Sequence, residues 1–252
     1  MGETKRYDLI KRIEAAPLRG GPFDLDTLAG LDVSPQLAAK YVRGGWLERL
    51  AQGVYAFPGD TLALQRTIAF LQGRVAGLHV GGKSALAIQG VAHNVAIREQ
   101  TVLWGDERLS LPRWFLNRFP ARYVSANLFD WRDKALARRT IVTPPGMAAG
   151  LAVSTPERAV LELLYDVGTY EGIEEAHNVF EGLRNLRVHV VGQLLACCTS
   201  VKTVRLFLTW ARESKVVEVD TLVRRFELPT GSSRRWMTRL KDGTLLTLKP
   251  YG

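Results

Sequence analysis

The chain has two cysteines in 252 residues, and they are neighbours, Cys197 and Cys198. Such a pair cannot frame a disulfide-stapled fold, so a small secreted scaffold is excluded. Long apolar runs are missing as well. None approaches the roughly 18 residues of a spanning helix, and no membrane segment is expected. Lys5, Arg6, Lys11 and Arg12 near the start are not followed by an apolar stretch. No signal peptide is therefore expected, and the expected compartment is the cytoplasm. Histidine is scarce: His79, His93, His177 and His189 keep no metal-ligand spacing with one another or with cysteine. They read as surface or capping residues, and neither metal nor cofactor is expected. No Ser/His/Asp arrangement, internal repeat, low-complexity tract or long linker is legible either.

What is present is an ordinary globular composition, 46% hydrophobic and 23% charged, sufficient to bury a core without staples. The net charge is +9, unevenly placed. Residues 1–60 hold eight basic and eight acidic side chains, residues 61–156 twelve against five, and residues 157–252 fourteen against twelve. The positive excess thus lies in the middle. A phosphate-attracting field suits nucleic-acid partners, although a solvated arginine-rich surface carries the same sign.

The pattern predicts a helix over residues 5–15, ended by Pro17 and the Gly20-Gly21-Pro22 run. Phe23 and Asp24 read as a staple residue and an N-cap before a short helix to Ala29. Ser34-Pro35 is a second start signal, a cap followed by proline at the first helical position. That helix runs to Arg43 and stops at Gly44-Gly45. Strand-like runs at 46–50 and 54–57 flank Ala51-Gln52-Gly53, a hairpin loop. Helix, helix, turn, helix, hairpin is the order of a winged helix-turn-helix. On the third helix, Val33, Leu37, Ala38, Tyr41 and Val42 share an apolar face. Gln36, Ala39, Lys40 and Arg43 share the other, the split a recognition helix needs. Gln reads adenine, Arg reads guanine, and Lys serves phosphate or guanine. Ser34, Gln36, Lys40, Arg43, and Arg49 and Gln52 on the wing are the candidate DNA contacts. The plainer reading is a surface helix with solvated polar residues.

The expected class is α+β: a winged helix-turn-helix over 1–60, then a mixed α+β domain over 61–252, with 61–75 a connecting helix. Strands are expected at 101–104, 109–115, 122–125, 140–143 and 151–154. Helices are expected from Thr155-Pro156 to 167 and at 173–183, 193–198 and 201–212. A short helix capped by Asp220 and a terminal hairpin over 236–248 follow.

Three further patterns carry chemistry. Gly77-Leu78-His79-Val80-Gly81-Gly82-Lys83-Ser84 fits the phosphate-loop spelling. It should follow a buried strand, and residues 64–72 read as a helix instead, so no nucleotide site is expected. Glu213-Ser214-Lys215 spells the E-x-K of metal-dependent nucleases but falls at a helix end. Residues 113–139 hold Arg113, Arg118, Arg122, Arg132, Lys134, Arg138 and Arg139 against Asp130 and Asp133. Trp114, Phe115, Phe119, Tyr123, Phe129 and Trp131 are interleaved. Cations for phosphate and rings for stacking suit a nucleic-acid or partner surface, and equally a small sheet with a wet basic face.

Several segments together resemble the AbiEi family of antitoxins and transcriptional regulators from type IV toxin–antitoxin systems. Residues 45–59, with Gly45-Trp46-Leu47 and Gly53-Val54-Tyr55, resemble the family's wing. Residues 79–90, with Lys83-Ser84-Ala85-Leu86-Ala87, resemble its next helix. Ser154-Thr155-Pro156-Glu157-Arg158-Ala159 resembles its strand-to-helix step, and residues 201–213 and Gly231-Ser232-Ser233-Arg234 its C-terminal region. The wing departs at Gln52, where the family often has a basic residue. The resemblance implies autorepression at inverted repeats through the winged helix. It also implies a C-terminal domain that counteracts a nucleotidyltransferase toxin without a stable complex, and no catalysis. The alternatives are a nucleotide-dependent or nuclease-type enzyme with a DNA-binding module, and a plain winged-helix regulator that senses or oligomerises.

Overall fold

The computed structural model describes residues 11, 13, 16–91, 100–239, 243 and 245–249. The chain divides into two compact units. The first comprises Met1–Ala76, Leu111–Phe119 and Gly146–Leu151; the second comprises Gly77–Ser110, Pro120–Pro145 and Ala152–Gly252. The first unit therefore takes in the helix Leu64–Gln72 and two pieces of the middle, beyond a division at residue 60. The helix expected over 5–15 lies mostly outside the described residues.

In the first unit, local chemistry sets each helix start. Asp24 ends the strand β1 (Phe23–Asp24) and caps the helix Leu25–Ala29, its carboxylate accepting from the Thr27 N–H at 2.9 Å. Ser34 Oγ accepts from the Leu37 N–H at 3.3 Å, and Pro35 opens the helix Pro35–Arg43. Such caps each stabilise a helix by about 1 kcal/mol. β2 (Glu48–Ala51) and β3 (Val54–Ala56) form an antiparallel hairpin, and β1 pairs with β3 to complete a three-stranded sheet in the order β1-β3-β2. Ile13, Phe23, Leu28, Val33, Leu37, Ala38, Tyr41, Leu47, Tyr55 and Phe57 form one apolar core beneath these elements. Helix, turn, helix and hairpin follow one another among the described residues of this unit.

The second unit is built on a five-stranded mixed sheet, β6-β5-β4-β8-β7. Its strands are β4 (His79–Val80), β5 (Thr101–Gly105), β6 (Ala121–Ser125), β7 (Ile141–Val142) and β8 (Val153–Ser154). β4 pairs antiparallel with β5 and parallel with β8. The helix Pro156–Asp166 is buried nearly all round, its charged Glu157, Arg158, Glu162 and Asp166 as well as its apolar Ala159, Val160, Leu161, Leu163 and Leu164, which makes it the central helix. The helices Gly82–Ile88, Val188–Ala196 and Val201–Ser214 pack around it. Buried Arg205 ties the tail to this core, donating to the carbonyls of Thr230, Ser232 and Arg234. β9 (Trp236–Arg239) and β10 (Leu245–Leu248) form the expected terminal hairpin.

Some local expectations change. Residues 109–115 are not a strand; Pro112 instead precedes a single helical turn, Arg113–Leu116. The helix expected at 193–198 starts five residues earlier, at Val188. Asp220 lies in the first turn of Val219–Arg225 and is not its cap. Among the described residues, no helix is long and apolar enough to cross a membrane, and no group of three His, Cys, Asp or Glu could hold a metal ion.

Candidate nucleic-acid interface

The helix Pro35–Arg43 separates its two faces cleanly. Leu37, Ala38 and Tyr41 are buried, whereas Gln36, Ala39, Lys40 and Arg43 are exposed. Ser34 is exposed at its N-cap. Four side chains able to meet a groove thus stand on one rigid element, held from behind by the core. Arg49 and Gln52 are exposed on the β2–β3 hairpin, with Arg49 Nε donating to the Ala51 carbonyl at 3.3 Å. Trp46, between helix and hairpin, is 46% exposed, an unusual place for a large ring. Arg118 belongs to this unit too; its guanidinium meets Glu48 of β2 at 3.1 Å.

The seven cations of the middle stretch do not form one surface. Arg113 and Arg118 lie in the first unit, and Arg122, Arg132, Lys134, Arg138 and Arg139 in the second. Arg122 is an internal ion-pair residue, 16% exposed, bonded to Asp166 at 2.7 Å and Glu171 at 2.8 Å. Burial pushes the Asp166 carboxyl up to about 6 despite this partner. Arg132, Lys134, Arg138 and Arg139 remain exposed, the last three on the helix Lys134–Arg139. The interleaved rings divide as well: Phe115 and Phe129 are buried, while Trp114, Phe119, Tyr123 and Trp131 are half-buried.

The centre of the second unit is a buried polar cluster around Glu162. Its carboxylate accepts from Arg158 Nε at 2.7 Å, the Gly82 N–H at 2.9 Å and Ser154 Oγ at 2.8 Å, and contacts His79 Nε2 at 2.9 Å. Burial alone would raise its pKa. The charges of His79 and Arg158 and these hydrogen bonds outweigh burial and hold it at about 2. His79 is thus an interior residue, not the surface or capping histidine expected; its ring reaches both Glu162 and the Gly77 carbonyl. His93 lies outside the described residues.

This cluster also accounts for the phosphate-loop spelling. The helix Leu64–Gln72 precedes the motif, as expected, and β4 falls inside it and not before Gly77, which speaks against a nucleotide site. The geometry supplies a second reason. Glu162 already fills the N-terminus of the helix Gly82–Ile88, where a phosphate would need the N–H groups. Lys83 is ion-paired to Glu175, and Ser84 Oγ accepts from the Val102 N–H. A Cβ on Gly81 would fall 2.5 Å from Glu162 Oε2 and from the Trp104 ring, so close packing explains that glycine. Glu213 and Lys215 of the E-x-K pattern are exposed at the end of the helix Val201–Ser214 and lie on no strand. Sequence spacing could not reveal the Glu162 cluster, because its members are up to 83 positions apart.

Two family models match. One, described as a transcriptional regulator, AbiEi antitoxin, type IV TA system, covers residues 98–249. The other, the AbiEi antitoxin N-terminal domain of such regulators, covers residues 7–97. No curated protein matches the sequence. Among solved structures, the crystal structure of the RV2827C protein from Mycobacterium tuberculosis is similar. Its TM-score is 0.59 at 14% identity, over 94% of this chain and 90% of that one, a likeness of fold.

Proposed function

The chain belongs to the AbiEi family of antitoxins, transcriptional regulators of type IV toxin–antitoxin systems, and on that footing we propose that it represses its own operon and counteracts a nucleotidyltransferase toxin. Family membership implies DNA and a toxin as partners in general. The finer reading is that the first unit binds an inverted repeat upstream of the gene, working in the cytoplasm. The observation that carries it is the exposed Gln36, Lys40 and Arg43 face above buried Leu37, Ala38 and Tyr41. Toxin neutralisation falls to the second unit, without a stable complex and without catalysis. Exposed Arg132, Lys134, Arg138 and Arg139 are its candidate working surface. The occupied Lys83, Ser84 and helix N-terminus speak against the nucleotide-dependent enzyme.

The test pairs a promoter-reporter assay with growth rescue from the neighbouring toxin, at matched protein levels. Lys40→Ala with Arg43→Ala abolishes repression and leaves rescue intact. Charge reversal at Arg132, Lys134, Arg138 and Arg139 does the opposite. Folded recognition-helix variants that lose both activities together would overturn the division of labour.

A further inference from the structure

The second unit holds an open pocket of about 500 Å³ that autorepression leaves unused. We propose that this pocket receives one nucleobase of a single-stranded nucleic acid, while the cations beside it hold the flanking phosphates. The inference rests on the reading of the basic segment as a working surface.

The volume falls within the ~300–1,000 Å³ of small-ligand sites, room for a base with its sugar. Trp131, Leu136, Ala196, Cys197, Phe226 and Pro229 supply its apolar lining. Trp131 is held in place. Its ring lies 4.8 Å from that of Phe129, and the Arg158 guanidinium stands 5.0 Å from its centroid. Arg158 is itself buried and bound to Glu162. The backbone beside the ring is anchored as well, the Asp130 N–H donating to the Cys197 carbonyl at 2.7 Å. Phe226 is seated by a missing side chain: a Cβ on Gly192 would fall 2.1 Å from its ring. Two pre-positioned rings in one open pocket are a stacking platform, and stacking tolerates any base.

The polar groups fit a neutral base edge better than a cation. Asp130 is paired with Arg132 at 2.8 Å, and Asp133 is spent on the N–H groups of Ala135 and Leu136. Gln193 Oε1 accepts from Arg139, which leaves the amide nitrogen as the donor it can offer a base. The thiols bring no reactivity; burial pushes Cys197 up to about 11 and Cys198 up to about 12. Outside, Arg132 is 90% exposed, and Lys134, Arg138 and Arg139 are exposed along the helix that contributes Leu136. Cations strung along a helix match successive phosphates of a strand, whereas a free nucleotide needs them converging on one point.

The experiment is fluorescence anisotropy with end-labelled single-stranded RNA and DNA nonamers of one sequence, over a salt series, with AMP as competitor. The wild type binds with a clear salt dependence. Trp131→Ala weakens binding about tenfold with an unchanged salt slope, and Trp131→Phe restores most of it. Arg138→Glu with Arg139→Glu lowers affinity and flattens the slope. Where Trp131→Ala does not fold, Trp131→Leu, which fills the space without a π-face, carries the same expectation. The tighter of the two strands identifies the natural ligand class. Undiminished binding by folded Trp131→Ala or Trp131→Leu overturns the pocket and leaves the basic surface standing. No binding of either strand by the wild type overturns both. AMP competing as well as the nonamer overturns the single-strand assignment.

Discussion

The two units place their charge in opposite ways. In the first, a core of apolar side chains lies under a helix whose charges all face outward. In the second, a carboxylate, a guanidinium and an imidazole sit at the centre, with Glu162 wholly buried. The difference teaches where substitution is cheap. An exposed charge over an apolar core can change without unfolding the protein, so such a face is free to vary. A buried, fully bonded carboxylate cannot change alone, because each partner it leaves is stranded in a low dielectric.

The largest expected effect follows directly. Glu162→Gln leaves Arg158 with an uncompensated buried charge and should cost about 3–5 kcal/mol. Glu48→Gln in the first unit breaks only an exposed pair with Arg118 and should cost at most about 1 kcal/mol. Urea unfolding of both variants makes the measurement. Similar losses would break the contrast.

Acid should separate the units next. Glu162 and Glu157 are both held at about 2, below an ordinary 4.5. At Glu157, burial is outweighed by hydrogen bonds from Arg187. A carboxyl depressed in the fold contributes stability that is present above 4.5 and lost as pH falls toward 2, here roughly 3 kcal/mol per group. Asp166, raised from 3.8 to about 6, works the other way: its contribution weakens as pH rises through that window. These three carboxyls alone make the second unit most stable at about pH 4.5–5. Amide hydrogen exchange resolved by residue should show protection in Pro156–Asp166 falling steeply below that range. A flat profile there would mean that the cluster carries no net stabilisation.

What was legible in advance was mostly local. Asp24, Ser34-Pro35 and the Gly53 loop declare the first unit, because caps and turns are written in neighbouring residues. The pairing of β1 with β3 was not legible, since Asp24 serves both as strand and as cap. The start of Val188–Ala196 was missed because Arg187 makes no side-chain cap and the branched run Val188, Val190, Val191 obscures a helix. Arg122 looked like a surface cation; only the fold brings Asp166 and Glu171 to it. His79 and Glu162 meet through the packing of a strand on a helix, a relation that no spacing rule contains.

A smaller effect, confined to binding, tests the outward face. Lys40→Ala with Arg43→Ala should leave thermal stability within about 0.5 kcal/mol, as exposed substitutions do. A base-reading Arg is worth about 1–3 kcal/mol of operator affinity, and a phosphate-binding Lys flattens the salt dependence. Anisotropy on operator DNA, beside a thermal melt, reads both quantities. Unchanged affinity in the double variant would remove this helix as the reading element.

The smallest expected effect is the sharpest, because at Ser34 stability and recognition meet in one hydroxyl. Its oxygen accepts from the Leu37 N–H, and its hydrogen is directed by rotation, so one group can cap the helix and still donate to a phosphate. Ser34→Ala removes both roles: stability falls by about 1 kcal/mol, and operator affinity falls with it. Ser34→Asp separates them. Aspartate caps as well as serine and adds a favourable charge at a helix N-terminus, so stability is kept. It cannot donate when ionised, and it repels a phosphate, so affinity should fall further than in Ser34→Ala. Melting curves and operator titrations on the two variants give four numbers. If Ser34→Asp binds DNA as well as the wild type, Ser34 is a cap alone, and the phosphate contacts begin at Lys40.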